Sequence, residues 1–522
     1  MSMNVSARRR TLSLGVLALA TVASLAVQLP AATAASTPPG RTLTATKADL
    51  GTLGTRYSDA VAVEGRWVVC AAAGSAGSSF VYDRSTRTRH ALGSLGGRFG
   101  TTPVDIDHGI VVGTGHTASE NKHAFAYDVA TGAIRDLGTL GGATSSAVAV
   151  SDGVVVGTSL TAAGVEHAFA YDLSAGAMRD LGTLGGAVSK AVDVDAGIVV
   201  GWSSTADPTA GNHTFAYDLR AAVPVMRDLG DGFPTAVDEG VVVGQYQTAA
   251  GPSHAWAYDL AAASPARKDL GALGGASSGA DDVDAGVVVG FAQTAGHATR
   301  AFAYDLRAAN PRMQDLGAPI GGTSRANSIS GRYIVGVAYR AGDHQPRAFA
   351  YDLAGTRRMA DLGQVGSNDN PGIVVDGSVA VGTSYLTVSG TGDDQQRDGR
   401  AAAWTMRTTT APAFTFGTTQ YSTSERATRV KVTVVRAGNR NRAVSVHYAT
   451  RGLTAAAGKD FRSTSGALRF ARGQVRKAFY VKVLNDRRKE RAETIQLTLR
   501  SPSAGAILGA PNAAALTIRA ND

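Results

Sequence analysis

The feature that most constrains this chain is its self-similarity. The segment Asp-Leu-Gly-Thr-Leu-Gly begins at Asp49, Asp136 and Asp180, and variants of it begin at Ala91, Asp228, Asp269, Asp315 and Asp361. In chain order the eight starts lie 42, 45, 44, 48, 41, 46 and 46 residues apart. A second signature recurs in phase, as Phe80-Val-Tyr-Asp83, His123-Ala-Phe-Ala-Tyr-Asp128 and at 167–172, 213–218, 254–259, 300–305 and 347–352, with a degenerate eighth copy at 401–404. A unit this small cannot bury its apolar face alone, so the fold must be an array of like units packed on one another.

The unit starting at Asp136 shows what each copy builds. Residues 147–150 alternate, Asp152-Gly153 is a hairpin turn, and Val154-Val-Val-Gly157 is a short apolar run, which reads as two paired strands. Residues 167–172 alternate small and aromatic side chains as a third strand, and 178–181 supply a fourth. Four short strands in about 44 residues make one propeller blade. The glycine content, 63 of 522 residues, follows from hairpin turns and from a glycine ending each second strand: Gly113, Gly157, Gly201, Gly244, Gly290, Gly336 and Gly382. Cys70, the single cysteine, takes that place in the first unit; it excludes an intrachain disulfide and reads as a small buried residue.

The ends of the repeat argue for a closed ring. The last unit supplies three strands at 373–375, 379–382 and 401–404, and an orphan strand at 43–50 precedes the first unit. Adding the orphan to the last blade leaves no open sheet edge. The expected fold is all-β: an eight-bladed β-propeller over 41–406, seven blades being the alternative, a linker at 407–413 and a β-sandwich at 414–522.

The His-Ala-Phe and Asp-Leu-Gly-Thr-Leu-Gly-Gly pair resembles the HAF family of extracellular repeats over 41–406, which implies an exported, propeller-like protein and no defined ligand. His123, His167, His213 and His254 hold one position in four successive units, with Arg300 and Arg347 in two others. A shared metal ion would have to sit on the ring axis, so side-chain hydrogen bonding is the simpler role. Asp152, Asp195, Asp238, Asp284 and Asp376 read as ordinary turn residues. No His-Glu-x-x-His helix or phosphate-binding glycine loop is present. Length-variable segments at 203–212, 341–345 and 387–400 mark one face for binding. Trp202, Tyr246, Phe291 and Tyr385 follow the second strands and suit either packing or sugar stacking.

Export is read from the beginning of the sequence. Arg8, Arg9 and Arg10 precede an uncharged apolar stretch at 12–29, and Ala32-Thr33-Ala34 fits a cleavage site, so 1–34 reads as a signal peptide, of the general secretory or twin-arginine type. An uncleaved anchor is the alternative for this stretch. The expected location is secreted and extracellular, with no membrane span in the mature chain and no nucleic acid as a natural partner.

From Phe414 onward short alternating strands argue for a β-sandwich. The pieces Tyr421-Ser-Thr-Ser-Glu425, Val430-Lys-Val-Thr-Val-Val-Arg436, Val446-His-Tyr-Ala-Thr450, Ala457-Gly-Lys-Asp460-Phe461, Glu490-Arg-Ala-Glu493 and Thr517-Ile-Arg-Ala-Asn-Asp522 resemble the Calx-beta domain. In calcium-binding members the ligands cluster at one end of the sandwich. The resemblance therefore implies a calcium site carried by Glu425, Asp460, Asp486, Glu490, Glu493 and Asp522, and calcium as the cofactor. Calcium takes six to eight oxygens, and these six are all the acidic side chains of residues 411–522. Departures stand against it: Asn485 and Arg487 replace frequent aspartates, and Arg487, Arg488 and Arg491 repel a cation, so salt bridges to arginine are the competing use.

Residues 411–522 carry 20 basic side chains. Their net +14, with +3 from Arg8 to Arg10, exceeds the chain's +9, leaving the repeat region net acidic at −8. A basic sandwich outside the cell suits acidic polysaccharide or anionic wall polymer, and a surface protein is the other partner class. The expected function is a secreted, non-catalytic binding or adhesion protein. The alternatives are an exported propeller enzyme, a polysaccharide hydrolase or lyase with acids such as Asp393 and Asp394, or a surface or matrix component.

Overall fold

A computed structural model describes residues 41–53, 57–72, 79–319, 321–340, 345–354, 359–365, 372–389, 396–485 and 491–520. The signal peptide expected at 1–34 lies outside the described residues. The described residues form strands and turns with no helix, in two compact units divided between Arg407 and Thr408.

The repeat builds eight four-stranded antiparallel sheets. Blade one holds Asp59–Glu64, Trp67–Ala71, Phe80–Asp83 and Thr88–Ala91. Blades two to seven begin at Thr102, Gly141, Gly185, Phe233, Gly274 and Thr323. Blade eight is Val374–Asp376, Val379–Ser389 and Gln396–Thr410, completed by Arg41–Gly51 from the start of the repeat. Each innermost strand touches the next, and Val374–Asp376 touches Asp59–Glu64, so the ring closes at eight. Pairing the first strand into the last blade removes both sheet edges. The blade-eight strand runs on to Thr410 and the next begins at Ala413, so the expected linker at 407–413 shrinks to Ala411 and Pro412.

Third-strand aromatics fill the space between blades. Phe125, Phe169, Phe215, Phe302 and Phe349 are fully buried, as is Trp256 in blade five. Phe169 and Phe215 each pack against apolar side chains of the preceding blade. Gly157 and Gly201 lie opposite these rings, and for a reason other than turn geometry. A Cβ at Gly157 would stand 2.0 Å from the Ser146 carbonyl oxygen and 2.9 Å from the Phe169 ring. Cys70 holds this position in blade one, buried opposite Phe80, and burial pushes its thiol well above the usual range.

The hairpin end of the ring is locked by one device used eight times. The last residue of each innermost strand accepts a hydrogen bond from the first turn amide of the next blade. The acceptors Glu64, Asp107, Ser151 and Asp195 take the amides of His108 (3.0 Å), Asp152 (2.7 Å), Ala196 (3.4 Å) and Glu239 (2.9 Å). Asp238, Asp284, Ser330 and Asp376 take those of Ala285 (2.7 Å), Gly331 (2.6 Å), Gly377 (2.9 Å) and Gly65 (2.8 Å), the last bond closing blade eight onto blade one. All eight donors sit at φ between 47° and 56°, a left-handed turn that aims the amide sideways at its neighbour. That conformation costs non-glycine residues about 1–2 kcal/mol, which the inter-blade bonds offset. Asp195, Asp238, Asp284 and Asp376 are thus blade locks as well as turn residues.

The C-terminal unit is a sandwich of two five-stranded sheets. One runs Phe461–Arg462, Arg476–Val483, Arg429–Ala437, Ala413–Phe416, Ile507–Leu508; the other runs Gln420–Ser424, Ala513–Arg519, Glu493–Arg500, Val444–Gly452, Ser465–Phe470. Its core includes Phe414, Val432, Phe461, Phe470, Ile495 and Leu516. Arg436 is 1% exposed, and its guanidinium is held by the carbonyls of Ala471 (3.1 Å), Asn439 (2.6 Å) and Arg442 (2.8 Å) in place of a carboxylate.

Candidate functional sites

The end of the ring opposite the hairpins is built from equivalent positions, but their chemistry changes from blade to blade. At this mouth the residue after the second-strand glycine faces the start of the next blade's innermost strand. Between blades two and three, Thr114 Oγ1 and Ser146 Oγ are 2.6 Å apart. Between four and five, Trp202 meets Phe233 edge-on at 6.1 Å. Between six and seven, Arg325 lies 4.6 Å over the Phe291 ring, and between eight and one Thr383 donates to Asp59. Trp202 also has Lys190 at 5.9 Å, and its indole nitrogen is buried without a hydrogen-bond partner among the described residues.

A bulge in seven innermost strands adds a second variable position. The extra residue is Val61, Val104, Val148 and Val192 in blades one to four, then Thr235, Asp281 and Asn327 in blades five to seven. Bulges re-aim side chains, and here they give one sector of the ring a polar lining. Asp281 takes a two-pronged ion pair from Arg325, with Nε to Oδ2 at 2.7 Å. Burial pushes the Asp281 carboxyl up, and the guanidinium pulls it back. Asn327 is 8% exposed, and its Oδ1 has no partner among the described residues. Lys190, Phe233, Asp281 and Arg325 were not singled out in the sequence. Superposing the eight copies and seeking the columns of greatest chemical spread finds them.

The other repeat candidates resolve into local contacts. His123, His167, His213 and His254 each place Nδ1 2.9 Å from the aspartate that opens their own blade's Asp-Leu-Gly segment. Arg347 makes the same bond to Asp361. Each pair is confined to one blade, so the histidines share no ion. Tyr246 gives its hydroxyl to Asp269, the carboxylate that also receives His254. Tyr385's side chain, Asp393 and Asp394 lie outside the described residues. One group absent from the sequence expectations is Asp107, His108 and Asp152, whose ligand atoms lie within 4.8 Å of one another. Asp107 Oδ2 already accepts His108 Nδ1 at 2.9 Å and the Asp152 amide, so the cluster belongs to the hairpin lock.

In the sandwich, strand ends bring part of the acidic set together. The Glu425 amide donates to the Arg519 carbonyl (3.1 Å), the Leu484 amide to that of Asp460 (2.9 Å), and Glu493 pairs with Ile518. Glu425, Asp460, Glu493 and the chain leading to 486–490 and 521–522 therefore sit at one end. Asp486, Glu490 and Asp522 lie outside the described residues. Glu425 is 4% and Asp460 6% exposed, and neither makes an ion pair among the described residues. Asp460 Oδ2 accepts the Ala456 amide at 2.5 Å. The three described members alone do not bring three carboxylate ligand atoms within 4.8 Å.

Residues 408–522 match the Calx-beta domain model. The C-terminal sandwich is a Calx-beta domain. Over 114 residues the chain is 37% identical to "Extracellular matrix protein 3" of Lytechinus variegatus, covering 20% of this chain and 4% of that protein. It is 39% identical over 79 residues to "Adhesion G-protein coupled receptor V1" of Danio rerio, covering 15% of this chain and 1% of the receptor. The chain thus spans only a small part of both relatives. A solved Calx CBD1 domain in its apo form is 32% identical, with 22% of this chain and 99% of that chain covered at a TM-score of 0.21. The propeller domain of the Trilobed protease from Pyrococcus furiosus is 9% identical, covering 60% of this chain and 99% of that chain at a TM-score of 0.39. No helix among the described residues is long and apolar enough to cross a membrane.

Proposed function

We propose that the protein is a secreted, non-catalytic binding or adhesion protein, with the propeller mouth as its recognition face and the Calx-beta domain as a calcium-stiffened module. The observation that carries this is the contrast within the ring. One end repeats the same hydrogen bond, from a turn amide to an Asp, Glu or Ser oxygen, eight times, whereas the other offers hydroxyls, an indole, phenyl rings, a lysine and an arginine–aspartate pair at equivalent places. Packing needs alone call for one solution used eight times. Aromatic faces beside polar groups suit extracellular glycans, whose sugars present apolar C–H faces and hydroxyls. Adhesion is supported by the Calx-beta segments shared with a matrix protein and an adhesion receptor.

The test is a glycan array probed with the mature chain, with and without calcium. Retained binding that is lost in Trp202→Ala with Phe291→Ala supports the proposal, whereas turnover of any bound polysaccharide overturns its non-catalytic part. Glu425 and Asp460, with Asp486, Glu490, Glu493 and Asp522, would hold the calcium. Millimolar calcium should raise the melting temperature of the C-terminal transition in the full chain, by about 2.7 kcal/mol of stability at 100 times Kd. Glu425→Gln should abolish that shift, and an unchanged transition in the wild type would remove calcium from the proposal.

A further inference from the structure

Between blades two and three the mouth opens into a cleft of about 460 Å³ lined in part by Thr102, Thr144, Thr158, His116, Lys122 and Glu166. Some of its hydroxyls are structural. Ser145 accepts the Ala124 amide (2.8 Å) and donates to the Gly138 carbonyl (2.5 Å), Ser159 accepts the Leu140 amide (2.8 Å), and Thr114 is bonded to Ser146. Thr102, Thr144 and Thr158 have no side-chain partner among the described residues. Each offers one donor and two acceptor sites, which suits a polyol.

The same cleft holds two basic groups in direct opposition. His116 and Lys122 are cross-strand partners on the second and third strands of blade two. His116 Nδ1 is buried without a hydrogen-bond partner among the described residues, with the Glu120 carboxylate 3.7 Å away. Glu166, the acid lining the cleft, is held by Lys190 at 2.6 Å. Outside the cleft lining, the Phe99 ring packs 5.1 Å from the His116 ring and carries the Arg98 guanidinium 5.3 Å over it.

Unspent hydroxyls and a lysine beside an imidazole match two parts of an acidic sugar, its hydroxyls and its carboxylate. We propose that this cleft binds a uronate-type acidic sugar unit of an extracellular polysaccharide. The proposal rests on the mouth being the recognition face and adds which inter-blade cleft binds and what charge the ligand carries.

The experiment is calorimetric titration of the mature full chain with trigalacturonate and with maltotriose, in calcium-free buffer at low and high salt. The wild type, Lys122→Gln, Thr158→Val and Trp202→Ala are compared, with melting temperatures confirming that each is folded. Expected is binding of the uronate at least about tenfold tighter than the neutral sugar, weakened by salt. Lys122→Gln should lower uronate affinity about tenfold, the usual scale for losing a charged hydrogen bond, and leave the neutral sugar unchanged. Thr158→Val should weaken both sugars. Equal affinity for the two sugars, or uronate binding unchanged in a folded Lys122→Gln, overturns the cleft assignment. If such binding is still lost in Trp202→Ala, the recognition face stands without the cleft. A wild type that binds neither these sugars nor any arrayed glycan overturns both.

Discussion

The two ends of the propeller are made from the same eight strands, yet they solve opposite problems. At the hairpin end the acceptor is Asp, Glu or Ser in every blade, and the donor is an amide in a left-handed turn. The turn amide there needs a side-chain oxygen acceptor, so the chemistry of the position repeats. At the mouth the same inter-blade gap is bridged by a hydroxyl pair, an aromatic pair or a cation over a ring. A position that accepts such different chemistry is not fixed by the fold. The comparison separates what holds the ring closed from what is left over for a ligand.

The sharpest way to break this division is to cut the hairpin lock at separated blades. Asp195→Ala, Asp284→Ala and Asp376→Ala together should cost about 4 kcal/mol, with the largest share from Asp376, which is 2% exposed and joins the first and last blades. Chemical denaturation of the propeller transition measures it. Phe233→Ala at the mouth, where the ring is 44% exposed, should change stability by less than about 1 kcal/mol while weakening glycan binding. Comparable losses from the two sets would dissolve the distinction.

The Arg325–Asp281 pair is the mouth element closest to the boundary. Asp281 is 9% exposed at its side chain and Arg325 40%, so Arg325→Met strands a largely buried carboxylate beside a guanidinium site still reached by water. Discounted for that screening, the loss should be about 1–2 kcal/mol, and Asp281→Asn added to Arg325→Met should recover most of it. If the single change leaves stability intact, the pair belongs wholly to recognition. If the double variant recovers stability but not ligand binding, the pair serves both ends of the comparison.

Much of this architecture was legible because the chain carries its own alignment. Eight copies gave the strand count and the closing role of 43–50, and the alternating strands from Phe414 gave the sandwich. What escaped were the relations between neighbouring blades. Asp195, Asp238, Asp284 and Asp376 read as turn residues because a turn is visible in one copy, whereas their hydrogen bonds reach an amide about 45 residues further on or across the closure. Glycines such as Gly157 read as turn chemistry too, although the clash that demands them comes from Ser146 and Phe169 on flanking strands. Asp281 and Arg325 escaped because a β-bulge shifts the alternation by one residue, and no periodicity argument locates a bulge from a single strand. In the sandwich the expected acidic set came from family resemblance alone. Burial of Glu425 and Asp460 is the added finding.

The smallest effect expected is a pH dependence of the hairpin lock at a single blade. His108 donates the amide that Glu64 accepts, and its ring faces Asp107 at 2.9 Å and Asp152 at 4.0 Å. The hydrogen bond to Asp107, with that residue's charge and those of Glu64 and Asp152, raises the His108 pKa above its ordinary value near 6.5. A raised histidine pKa adds stability that is fully present below the ordinary value and lost as pH rises through the folded one. The propeller should therefore lose a little stability as pH rises above the ordinary histidine value, and His108→Asn should flatten that slope. The side chain is 67% exposed, so solvent screening limits the effect to about half a kcal/mol. A slope that survives His108→Asn would move the sensitivity away from the hairpin lock.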